Sequence, residues 1–185
     1  MDDRALVSQI LEGNMQAFRM LIKSNERLVA HMVGKLVTSR EEHEEICQDV
    51  FLKVYDKLNE FNFQSKLSTW IATIAYRHAI NSIRRHRIPT REIVEGDNGD
   101  RYFTTDENPE NILGDKDMEE YIHKLINQLP AQYKLVISLY HVEDMNYKEI
   151  GEITGMPEGT VKNYLFRARM LLKEKVKGHL KETGL

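Results

Sequence analysis

Lys162, Asn163, Phe166, Arg167 and Arg169 are the residues whose types and spacing best support chemistry, and that chemistry is binding. Lys and Arg neutralise phosphates, and an ammonium or amide group can read base edges. In a 3.6-residue repeat the five share the outer side of a helix whose inner side carries Val161, Leu165, Ala168 and Leu172. A shorter helix precedes it. Asn146, with Glu149 three residues on, opens that helix as an Asn form of the capping box, and Ile150 and Ile153 supply its apolar side. Gly155-Met156-Pro157 then breaks it: Gly suits a left-handed cap and Pro suits the first turn of a new helix. A short helix, a glycine turn and a longer helix with a basic outer side make the helix-turn-helix plan. An ordinary helical hairpin with a solvated basic side fits the same pattern.

A second basic region ends a helix predicted over Thr69–Arg87, where Arg77, His78, Arg84, Arg85, His86 and Arg87 gather. Cations at a helix C-terminus complement the helix dipole. With the aromatic residues Phe61, Phe63, Trp70 and Tyr76 nearby, they also suit a surface on which unpaired bases stack while Arg holds phosphates. Trp70 is expected in the core rather than as a stacking platform. His43 and Cys47 stand four apart on one predicted helix, but no further ligands cluster near them, so a buried thiol and a surface histidine are expected rather than a metal site. The chain has no phosphate-binding glycine loop, nucleophile elbow or paired carboxylates. It is expected not to be an enzyme and to need no cofactor or metal.

The elements that position these residues are helical. Apolar stripes at three- and four-residue intervals run through Leu6–Leu11, Phe18–Leu36 (with a break expected near Asn25), Ile46–Leu58, Trp70–Ile83, Met118–Leu129 and Leu135–Tyr140. Gly13 ends the first helix, Asn14 caps the second, Ser68 or Thr69 caps the fourth, and Pro130 separates the last two stripes. The fold class is therefore all-α. Between Pro89 and Asp115 the pattern disappears, and residues 92–120 hold eleven acidic side chains against two basic ones. So long an unpatterned stretch reads as a linker between two small helical domains, giving units at 1–88, 89–116 and 117–185. Charged residues make up 30% of the 185 and hydrophobic ones 41%, which suits a soluble chain with a core. The net charge of −3 opposes indiscriminate nucleic-acid binding; the uneven placement of charge matters more than its sum. One cysteine, no signal peptide and no apolar run near 20 residues point to the cytoplasm, without direct membrane insertion.

Three stretches, in order, resemble one family. EEICQDVFLKVYDKL looks like the polymerase-binding helix of extracytoplasmic-function (ECF) sigma factors of bacterial RNA polymerase. LSTWIATIAYRHAINSIRRHR resembles their −10 helix, and LPAQYKLVISLYHVEDMNYKEIGEITGMPEGTVKNYLFRARMLLK their C-terminal promoter-binding domain. The resemblance covers about Leu6 to Lys175, all but the linker, and implies a sigma-2-like and a sigma-4-like bundle. It implies partners too: core RNA polymerase, duplex −35 DNA, single-stranded −10 DNA, and an anti-sigma factor that could hold the protein at the membrane's inner face. The acidic side of the third helix, at Glu45, Gln48, Asp49 and Lys53, then becomes the docking surface for the polymerase clamp; by itself it reads as a solvated side. Lys162, Asn163 and Phe166 would meet −35 base edges, while Arg167, Arg169 and the backbone near Glu158 and Gly159 hold phosphates. Arg77, Asn81, Arg84 and Arg85 would face −10 DNA, with the Phe61–Lys66 loop, including Phe63, as a pocket for a flipped base. The chain departs from the family at Arg77 and Asn81, where many members carry Asn and Asp, so no −10 base preference is implied. The rival reading is a two-domain helix-turn-helix repressor or activator that binds its operator without polymerase.

Overall fold

Apolar residues three and four apart place one side of each helix inward, and the helices assemble along those stripes. The computed structural model describes residues 2–86 and 122–182, with side chains placed over 2–85 and 122–178. The expected linker at 89–116 lies outside the described residues, as does Met118. Every element among them is helical: α1 (Asp3–Leu11), α2 (Met15–Gly34), α3 (Arg40–Lys57) running into a 3-10 turn (Leu58–Glu60), α4 (Leu67–His86), α5 (122–127), α6 (Ala131–His141), α7 (Tyr147–Thr154) and α8 (Glu158–Glu182).

In the first half α2, α3 and α4 pack pairwise and α1 lies on α2. Leu21, Val29, Val33, Val50, Val54, Ile71 and Ala75 are fully buried between them. In the second half α8 packs on α6 and α7 around Val136, Leu139, Ile150 and Leu165. The halves also meet. Helix α4 packs against α7, α2 touches α6, and the buried residues of both halves form one connected cluster.

Several helix ends follow local rules. The Asn14 side chain accepts from Gln16 N and Ala17 N, and Ser39 from Glu42 N. Other expectations are corrected by longer-range contacts. Helix α2 does not break at Asn25, because the buried amide donates to Leu21 O at 2.8 Å and is satisfied inside the helix. Helix α4 starts at Leu67, before Ser68 or Thr69, since Asp3 Oδ2 on α1 accepts from Leu67 N at 3.3 Å. Leu11 and Ile122, both on apolar stripes, are nevertheless 55% and 43% exposed.

Candidate nucleic-acid interface

The helix-turn-helix is built as its residue types require. Asn146 Oδ1 accepts from Glu149 N at 3.0 Å and Glu149 Oε2 from Asn146 N at 2.9 Å, a reciprocal capping box. Gly155 takes φ 75°, the left-handed conformation that costs glycine nothing. Gly151 is needed for a different reason: a Cβ there would lie 2.8 Å from Met156 O, so α7 could not fold so closely onto the turn. The Pro157 carbonyl accepts from Thr160 N and Val161 N and starts α8. From there α8 buries Val161, Leu165 and Ala168. It leaves Glu158, Gly159, Lys162, Asn163, Arg167 and Arg169 exposed, with Phe166 at 63%. The sequence-predicted residues therefore do share one open surface.

Arg169 is not a simple outward clamp. Its Nη2 donates to His141 Nε2 at 3.1 Å, and its guanidinium lies 5.4 Å from the Tyr140 ring. Tyr140 stacks on Tyr147 at 5.3 Å and 15°, and Lys162 Nζ sits 5.3 Å over the Tyr147 ring. Tyr140, His141 and Tyr147 thus join the surface, although sequence reasoning did not single them out; only the fold stacks residues from either side of the 142–146 loop. Burial, then the adjacent Arg169 charge, holds His141 below the usual histidine value. Arginine only donates, so the acceptor nitrogen must be unprotonated. A histidine that binds its proton more weakly folded than unfolded contributes fully above the ordinary histidine value. That contribution is lost as pH falls from there through the lower value of the folded state. Thermal stability should therefore decline on acidification from pH 7.5 to 5.5, and less steeply in His141→Gln. Parallel melting curves for the two proteins would show the prediction to be wrong.

On α4, Arg77, Asn81, Arg84 and Arg85 are all exposed, at spacings of four, three and one, along one side of the helix. The loop before α4 is more structured than the sequence suggests. Phe61 is only 6% exposed, its ring 4.6 Å from Phe63 and 5.3 Å from Trp70. In this conformation Phe61 forms the floor of the loop rather than an open stacking face. Trp70 and Tyr76 are half-buried against the core. Phe63, at φ 59°, carries the Arg4 guanidinium 4.6 Å over its ring. Lys66 extends to Glu149 Oε1 at 2.7 Å, across to the other half.

On α3, Glu45, Gln48 and Lys53 are exposed and Asp49 is half-buried. Among them stands Leu52, 66% exposed, the most open large apolar side chain on the helix. The sequence signal for it was available: Leu52 falls off the stripe Ile46–Val50–Val54 while remaining apolar. Leu11 and Tyr55 line a shallow cleft between α1 and the end of α3 with Ile10, Gly13, Asp56 and Asn59. His43 Nε2 donates to Ala30 O at 2.8 Å and lies 3.9 Å from Cys47 Sγ, whose thiol burial pushes up. Among the described residues no group of three His, Cys, Asp or Glu side chains could hold a metal ion.

Comparison with known proteins bears directly on these surfaces. The family descriptions "Sigma-70 region 2" and "Sigma-70, region 4" match residues 21–88 and 119–172. The chain is 29% identical over 180 residues to the ECF RNA polymerase sigma-E factor of Haemophilus influenzae, covering 94% of this chain and 95% of that one. Among solved structures it shares a fold with CnrH in complex with the cytosolic domain of CnrY (TM-score 0.66, 18% identity, 95% and 97% of the two chains). The sigma factor RpoE of Bartonella quintana, bound to the anti-sigma factor NepR, aligns at TM-score 0.63 with 21% identity, over 86% and 96%.

Proposed function

This chain belongs to the sigma-70 family, in its extracytoplasmic-function branch, and from that membership we infer how its surfaces divide the work. It is a sigma factor, a non-enzymatic subunit that binds core RNA polymerase and directs initiation at selected promoters. The repressor alternative gives way to this reading. Residues 1–88 form the unit for polymerase and the −10 element, 89–116 the connection, and 117–185 the −35 unit. Helix α3 docks on the polymerase clamp through Glu45, Gln48, Asp49, Lys53 and the exposed Leu52. The Arg77–Arg85 side of α4, with the Phe61–Lys66 loop, takes the −10 strand. Helix α8 reads −35 bases through Lys162, Asn163 and Phe166, and Arg167, Arg169 and the backbone at Glu158–Gly159 hold phosphates. Tyr147, next to Lys162, supports that edge.

The observation that carries the reading is Phe166. A phenyl ring 63% exposed between Lys162 and Met170 on a helix that buries Val161 and Leu165 suits a groove that offers methyl groups and acceptors together. Lys162→Ala or Phe166→Ala should cost about 1–3 kcal/mol of −35 discrimination. Transcription by purified core polymerase on matched and scrambled −35 templates would read this. Discrimination unchanged in both variants would remove α8 from promoter reading.

The linker gives a second reason to expect dependence on polymerase. Counted with the flanking Ile88, its 29 residues to Lys116 could reach at most ~95–105 Å. The two promoter elements lie about 70 Å apart, two helical turns, within that reach, and we expect polymerase to set the separation of the two units. By analogy with the RpoE–NepR complex, an anti-sigma factor restrains the chain. No helix among the described residues is long and apolar enough to cross a membrane. The protein acts in the cytoplasm, and any membrane attachment comes through that partner.

A further inference from the structure

Helix α1 reaches the loop assigned above to the −10 strand at two points. Asp3 Oδ2 accepts from Leu67 N at 3.3 Å, where the loop ends and α4 begins. One residue on, the Arg4 guanidinium lies 4.6 Å over the Phe63 ring. Arg4 is exposed and Phe63 half-buried, so the pair stands at the surface. Lys66, the loop's own cation, is turned to Glu149 Oε1 at 2.7 Å. The cation on the ring therefore comes from a different element.

Phe63 is held in an uncommon backbone conformation. Its φ of 59° lies in the left-handed region, which bulky side chains rarely adopt. Such a conformation persists only where its surroundings impose it, and it clusters at ligand-binding positions. Two contacts impose it here. Asn62 Oδ1 accepts from Gln64 N at 3.2 Å, a turn with Phe63 at its centre. The Phe63 ring also lies 4.6 Å from Phe61, which is buried and itself 5.3 Å from Trp70. The loop thus presents one aromatic ring on a fixed support, with a guanidinium over it.

We propose that Arg4 and Phe63 form one base site, in which Phe63 stacks an unpaired −10 base and Arg4 reads its edge, favouring guanine or cytosine over adenine or thymine. The proposal rests on the assignment of the Phe61–Lys66 loop to the −10 strand. A cation over an exposed ring is a weak contact, whereas an unpaired base offers the ring a larger flat partner. The guanidinium that gives way stays beside the base, because α1 is anchored by Asp3 and by the buried Leu6, Val7 and Ile10. Arginine presents parallel N–H donors in a rigid fork, which matches two adjacent acceptors. Guanine offers O6 and N7, and unpaired cytosine offers O2 and N3. Adenine and thymine place a donor beside each exposed acceptor on those edges, so the fork meets one acceptor at most.

The test uses core polymerase loaded with the full chain and a promoter library randomised through the −10 stretch, with bound fragments sequenced. The parent should enrich guanine or cytosine at one non-template position. Arg4→Ala should reduce that preference about fivefold or more and leave the other positions as they were. Arg4→Lys keeps the charge but not the fork, and should lose the preference as well. Phe63→Gly relieves the left-handed backbone and removes the stack, so enrichment at the same position should fall although the loop is unstrained. Arg4 is exposed, so both Arg4 variants should melt near the parent. A preference that survives Arg4→Ala, or that Arg4→Lys restores, would overturn reading by Arg4 while leaving the −10 assignment intact. If the parent enriches no −10 position, the assignment of the loop fails and this proposal fails with it.

Discussion

Leu52→Asp is expected to weaken binding to core RNA polymerase by roughly 2 kcal/mol or more, about thirtyfold. The reasoning starts from exposure. Burying a leucine fully is worth about 1.5–3 kcal/mol, and Leu52, at 66% exposed, leaves most of that unrealised within the chain. It stands four residues after Gln48 and one before Lys53, so on a helix it lies between the polar positions assigned to docking. An apolar centre ringed by polar groups is the arrangement in which truncation of one residue costs most. The fold should tolerate the change, since an exposed helix position contributes within about 0.5 kcal/mol. Asp49→Arg should act in the same direction. Titration of labelled core polymerase would measure both, with circular dichroism and melting temperature as controls. Unchanged affinity in a folded Leu52→Asp protein would move the docking surface off this side of α3.

Ile150→Ala should destabilise the C-terminal half by about 2–5 kcal/mol, since Ile150 is fully buried and α7 is too short to close over the cavity. Against a typical total of about 5–15 kcal/mol this is a large share, and a melting temperature lower by roughly 10 °C is expected. The consequences should be selective. Helix α7 packs on α8 and on α4, so both the −35 surface and the contact between the halves should loosen. The docking side of α3 should not. Thermal melts with limited proteolysis would show early cleavage in α7 and α8 while α2–α4 persist. Uniform cleavage across both halves would mean that they unfold as one unit. Glu152→Ala, exposed on the same helix, is the matched control and should melt near the parent.

The exposed side of α8, proposed above to read −35 DNA, was legible because helix periodicity is local. Once Val161, Leu165 and Ala168 turn inward, Lys162, Asn163 and Phe166 have no choice but to share the outer side. The same holds for the capping box at Asn146 and Glu149 and for the left-handed Gly155, whose partners all lie within four residues. The fold class and the exposed basic stripe of α4 follow in the same way. The −10 loop was less legible. Phe61 was read as an aromatic beside a basic helix, yet it is buried among Phe63 and Trp70, because a loop has no fixed repeat from which to deduce which ring turns inward.

Tertiary structure decided what local spacing does not encode. The start of α4 depends on Asp3, 64 residues away from Leu67, and the orientation of Arg169 depends on His141, 28 residues away. Tyr140 and Tyr147 became neighbours of the side of α8 proposed to read DNA, through stacking across a loop. The sequence predicts two helical units with a linker between them. That α4 and α7 pack together, with Lys66 on Glu149 and His31 reaching Glu143 across 112 residues, came only from the assembled chain. A helix face is set by a repeat of 3.6 residues along the backbone, whereas the choice of which two faces meet is a competition among all exposed surfaces, settled by shape, charge and burial at once.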